Sequence, residues 1–202
     1  MEILEKNDIA MHEAGHVLIC YLMNDLVELY NVTIDEELSK TIDDHSDGGV
    51  LFKYLKHPGN LNYLELDQFC LFNLAGLAAD IVNENNGKVN EEYFFSEKFL
   101  LKINHYYYQG DISAFNRSFI QFENILKVTP QIYNYITISL LVNIFAETNI
   151  LEILLKTREI IESNKTIKGE TLTHFLDKTY IKGYRCNYWK NVKNIRKNLF
   201  DI

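Results

Sequence analysis

The sequence predicts a mainly α protein of the α+β class: long helices, with one small β element between the first two. Three observations predict this. Only Pro58 and Pro130 interrupt the 202 residues, so helices can run long almost anywhere. Apolar residues recur at helical spacing through 9–24, 62–83 and 131–163. Between the first two of these segments lie a β-branched stretch and then a Gly-Gly pair followed by an apolar run, the pattern of two short strands.

Each element has its own signal. Asn7 and Asp8 are good N-caps for a first helix reaching about Asn24, with Ile9, Leu18, Ile19, Leu22 and Met23 forming part of one face. Residues 27–35 alternate and are rich in β-branched types, so a strand is expected; 36–47 are polar and acidic and read as a loop. Gly48-Gly49 leads into a second strand over 50–55, closed by the turn signal His57-Pro58-Gly59-Asn60. From Asn62 to Asn83, residues such as Phe69, Phe72, Ala75, Ala79 and Val82 mark a second long helix, which Asn85-Asn86-Gly87 ends. After a polar, aromatic stretch, Asp111 is placed to cap a helix running to Leu126. Residues 131–163 read as one long helix or two, and a short helix begins after Gly169. In the tail, Lys182, Lys190, Lys193, Arg196 and Lys197 read as a solvated helix face. No repeat or low-complexity linker divides the chain. The expected organisation is one domain over 1–202, with 1–130 as its core and 131–202 as added C-terminal helices.

Composition excludes some classes of function. The chain is 47% hydrophobic, enough for a real core, and carries a formal charge of −8 with a pI near 5.3. An acidic surface argues against sequence-independent binding to nucleic acid or anionic lipid, which needs clustered Lys and Arg. Cys20, Cys70 and Cys186 are sparse, odd in number and never paired as Cys-x-x-Cys, which reads as reduced thiols in a cytoplasmic compartment. Residues 1–8 are polar and mixed in charge, unlike a signal peptide. No stretch reaches the roughly 18 apolar residues of a membrane span. The longest candidate, 136–146, contains Thr137, Ser139 and Asn143 and reads as a buried core helix.

The chemistry-bearing segment is His12-Glu13-Ala14-Gly15-His16, a His-Glu-x-x-His pattern within the first expected helix. Side chains four apart lie on one face about one turn apart, so both imidazoles can reach one ion. Neutral imidazoles suit Zn²⁺, and Glu13 between them can act as general base toward water, so the pattern predicts a zinc hydrolase and foremost a peptidase. The small Ala14 and Gly15 let a neighbouring element come close. A third ligand must come from elsewhere, and spacing does not choose it. His45 and His57 fall in expected loops, His105 and His174 have no nominating spacing, and Asp67, Asp80, Glu84 and Asp111 stay open.

Taken together, the motifs resemble the peptidase domain of the FtsH-type ATP-dependent zinc proteases. Ile9-Ala10-Met11-His12-Glu13-Ala14-Gly15-His16-Val17 is similar to that family's metal-binding helix, and Val32-Thr33-Ile34 and Gly48-Gly49-Val50 to its next strands. Leu74-Ala75-Gly76-Leu77-Ala78-Ala79-Asp80 resembles the second helix. Gln109-Gly110-Asp111-Ile112-Ser113-Ala114-Phe115 resembles the segment whose aspartate binds zinc, and 164–172 resembles the C-terminal motif. The order is collinear over nearly the whole chain. Leu77 stands where the family has Arg, Ile81 where it has a second acidic residue, and Tyr107 where it has a glycine, which implies a reshaped loop before Asp111.

The resemblance implies one Zn²⁺ per chain held by His12, His16 and Asp111, with Glu13 as base and Asp80 as a supporting carboxylate. It also implies a strand at Gly49, Val50, Leu51 and Phe52 to which an extended peptide adds by backbone pairing. The substrate expected is an unfolded or flexible polypeptide. The chain is expected to work without its own ATPase module or membrane spans, either as a homo-oligomer or beside a separate ATPase partner. Two rivals differ in class: a scaffold or interaction module that retains the fold, against which the intact Glu13 argues, and a zinc hydrolase acting on a non-peptide bond.

Overall fold

The computed structural model describes residues 8–39, 48–104 and 109–200. Asn7, His45 and His105 therefore lie outside the described residues, as does most of the acidic loop expected before Gly48. The architecture is mainly helical with a small antiparallel sheet on one side.

Helix α1 (Ile9–Leu22) starts where Asp8 Oδ1 accepts the Met11 amide at 3.0 Å. Nearly every residue of α1 is buried, because α3 (Tyr63–Glu84) and α8 (Thr148–Asn164) flank it. The capping box of α3 is complete: Asn62 accepts the Leu64 and Glu65 amides, and Glu65 returns to the Asn62 amide. Its C-terminal turn requires left-handed backbone at Asn86 and Gly87. Besides α1, α3 packs against α6 (Gln109–Phe119) and α7 (Pro130–Ala146), so it is the central helix of the fold. Between α3 and α6 lie the short α4 (Glu91–Phe94) and α5 (Glu97–Asn104).

Strands β1 (Val27–Thr33) and β2 (Gly49–Tyr54) pair antiparallel, from Val27 opposite Tyr54 to Thr33 opposite Gly49, with an irregularity between Leu29 and Asn31. The other edge of β1 takes a third strand, β3 (Thr166–Lys168), and the sheet order is β2-β1-β3. Among the described residues β2 is thus an edge strand.

Some expected elements stand and others are corrected. Residues 36–39 form a helical turn, α2 (Glu36–Ser39), because Asp35 Oδ1 accepts the Glu37 and Leu38 amides. The helix expected over 111–126 begins at Gln109 and ends at Phe119, and Leu126 bridges to Phe200 instead. Segment 131–163 is two helices, α7 and α8, bent by 87°. No single described helix is long and apolar enough to cross a membrane. The segment over 136–146 lies within α7 and buries Thr137, Ile138, Leu141, Val142, Ile144 and Phe145. The short helix after Gly169 is α9 (Gly169–Leu176), and the basic tail is α10 (Ile181–Arg196). Arg196 is not part of a solvated face: it is 3% exposed and bound to Asp67. Cys20 and Cys70 are free and buried.

Candidate metal centre

Three helices build this site. Helix α1 supplies His12, Glu13 and His16, all buried, and α6 supplies Asp111 from its first turn. Asp111 Oδ2 lies 3.0 Å from His12 Nε2 and 3.2 Å from His16 Nε2, and the two Nε2 atoms are 3.2 Å apart. The helix α3 fixes both rings from behind. His12 Nδ1 is 2.9 Å from Asp80 Oδ2, and His16 Nδ1 donates to the Phe72 carbonyl at 2.8 Å. With protons on both Nδ1 atoms, the neutral tautomer leaves both Nε2 lone pairs facing Asp111. Two lone pairs and a carboxylate oxygen at this separation call for a shared cation, either a proton or a metal. His12, His16 and Asp111 form a group that could hold a metal ion.

The electrostatics follow from that crowding. Burial alone would lower the pKa of His12, yet its hydrogen bonds to Asp111 and Asp80 outweigh this and hold it well above the ordinary value. His16 is likewise raised despite burial, chiefly by the Asp111 charge. Burial would raise Asp111, but the two histidines hold it far below the usual carboxylate range. Glu13 goes the other way: burial pushes it up to about 7, against the nearby histidines.

Close packing makes this convergence possible. A Cβ at Gly15 would lie 2.5 Å from the Ala75 carbonyl oxygen, so only glycine lets α1 approach α3 here. A Cβ at Gly76 would lie 2.2 Å from His12 Nε2, so its absence makes the space the imidazole occupies.

Beside the group lies a cavity of about 460 Å³, onto which Glu13, His16 and Asp111 open. Gly49, Val50 and Phe52 of β2 form one wall, while Leu51 does not line it. The other candidates lie elsewhere. His57 accepts the Gly59 amide in an exposed turn, and His174 is exposed on α9. Asp67 pairs with Arg196, and Glu84 pairs with Lys98 and Lys102. Among the described candidates, the structure therefore brings together His12, Glu13, His16, Asp80 and Asp111.

Sequence reading missed the Phe72 carbonyl, Asn73 and Arg117. One signal could have found the first two: Phe69, Phe72, Asn73, Gly76 and Asp80 recur at three- and four-residue spacing along one side of α3. Compared with models of known protein families the chain finds no match, and no curated protein matches it.

Proposed function

We propose that the chain is a zinc-dependent metalloendopeptidase of the FtsH-peptidase type, cutting unfolded or flexible polypeptides. The observation that carries this reading is the convergence of His12, His16 and Asp111 beside Glu13 at one cavity. The donor set fits zinc. Ligands about 2.0–2.1 Å from a tetrahedral Zn²⁺ lie about 3.3 Å apart. The three donor atoms here are separated by 3.0, 3.2 and 3.2 Å. The carboxylate and the carbonyl behind the two rings set the tautomers that metal-ligating histidines need.

When bound at His12, His16 and Asp111, zinc supplies Lewis acidity toward water and the scissile carbonyl. Glu13 moves the proton, taking it from the attacking water and delivering it to the leaving amine. Asp80 holds the His12 ring in place and favours its charge-donating tautomer. The edge of β2 that carries no strand among the described residues pairs with an extended backbone and aligns the peptide along the cavity.

The test joins metal analysis to turnover. The purified protein is expected to carry about one zinc per chain and to cleave an unstructured protein. Glu13→Gln should retain the metal and lose cleavage, and Asp111→Ala should lose most of the metal. A protein that binds no zinc in either form overturns the reading, and full occupancy in Asp111→Ala removes Asp111 from the ligand set.

A further inference from the structure

The cavity beside the metal group contains two polar groups that the proposed chemistry does not use. Asn73, on α3, is 5% exposed and lines the cavity, yet its amide makes no hydrogen bond among the described residues. The amide is not sealed off from the cavity, so it is available to hydrogen-bond a group that enters. Arg117, on α6, lines the same cavity and is exposed, with no salt bridge among the described residues. It is the only Lys or Arg among the described residues lining that cavity, in a chain whose formal charge is −8. The apolar floor between them is aromatic: Phe52 lies against both Phe69 and Phe72, with ring centroids 5.9 and 5.3 Å apart.

We infer that this cavity is a recognition site for a peptide segment carrying a carboxylate, with Asn73 binding the segment's backbone and Arg117 its negative charge. The inference rests on the peptidase reading for its substrate class. Placement sets the register. Arg117 follows Asp111 by six positions on α6, a rise of about 9 Å. An extended peptide covers that distance in about three residues. The carboxylate recognised therefore lies two or three residues from the bond to be cut. It is either an acidic side chain or the free C-terminus of the substrate, and the guanidinium suits both.

The test measures binding first, by fluorescence anisotropy of labelled peptides on the Glu13→Gln protein. Four peptides share one apolar sequence: a neutral amidated form, a form with a free C-terminus, an amidated form with an internal Asp, and an amidated form with Lys at that position. The expected result is about five- to tenfold tighter binding of a carboxylate form than of the neutral one, with the Lys form weakest. The C-terminal and internal-Asp arms show which source is read. In Arg117→Gln that preference should collapse through weakened binding of the acidic peptides, and in Asn73→Ala all four should weaken together. Equal binding of all four, or a preference that survives in Arg117→Gln, overturns the inference. Turnover separates this from the peptidase reading. Cleavage of the four peptides at equal rates by the unmodified protein, with no binding preference, removes only the carboxylate site. Charge-selective binding that depends on Arg117, with no cleavage of any peptide, removes the peptidase reading and leaves the recognition site standing.

Discussion

Gly76 is held to glycine by its neighbour rather than by its own backbone. The ring of His12 occupies the space a Cβ would need, and that ring is tied at both nitrogens, to Asp80 and Asp111. An added methyl must therefore displace the imidazole or push α3 away from α1. Gly76→Ala is expected to cut zinc content to a small fraction of that of the unmodified protein, while costing about 1–3 kcal/mol in stability as an overpacked site. Metal analysis alongside thermal unfolding checks both parts, and near-stoichiometric zinc in Gly76→Ala would falsify the account. At this scale the pair His12 and His16 was readable from sequence, because four-residue spacing on a helix is local geometry. The Asp80 and Asp111 contacts were not readable from spacing, since they join positions 68 and 99 residues away from His12. Only the resemblance to a known family pointed to them.

Among the elements, α1 and α3 were legible because each is long and carries its own cap. The strand β3 was not: it has three residues, of which only Ile167 is buried, and its partner β1 lies far earlier in the chain. The start of α6 was misplaced for an informative reason. Aspartate favours the N-cap, so Asp111 reads as one. In the structure the helix begins two residues earlier, and Asp111 sits in the first turn. There it still faces the positive end of the helix dipole, and its carboxylate reaches across to both histidines. The cap of α1 shows the opposite use of the same residue type. Asp8 accepts the Met11 amide and also pairs with Arg158 of α8 at 2.9 Å. Asp8→Ala is therefore expected to cost about 1–2 kcal/mol, the upper part of the N-cap range. It should lower the denaturation midpoint without changing zinc stoichiometry. A loss under about 0.3 kcal/mol would show that neither contact holds the start of α1.

Across the whole molecule, α10 is fastened to the central helices by a buried polar cluster that reverses the usual pattern. Ile195 is 67% exposed while Arg196 beside it is 3% exposed. Hydrophobic patterning therefore points the wrong face inward, which is why the charged tail read as solvated. Arg196 donates to both oxygens of Asp67, from Nε at 2.5 Å and Nη2 at 2.6 Å, and Nη2 also reaches Thr137 Oγ1 at 3.0 Å. Tyr133 adds a bond from its hydroxyl to Asp67 at 2.6 Å, so α3, α7 and α10 meet at one carboxylate. Such a pair is worth little compared with apolar packing, but breaking it is costly because one charge stays buried alone. Arg196→Met should thus destabilise by about 3–5 kcal/mol, since Asp67 would keep only the Tyr133 hydroxyl. Combining it with Asp67→Asn removes the stranded charge and keeps an acceptor for Tyr133. The double variant is expected to regain more than half of that loss. Urea unfolding of the two single variants and the double variant measures the coupling, read from midpoints at constant slope. Strictly additive losses would mean that the two charges act independently and that α10 is held by its apolar contacts alone. A change under about 0.5 kcal/mol in Arg196→Met would return Arg196 to the surface role its sequence suggested.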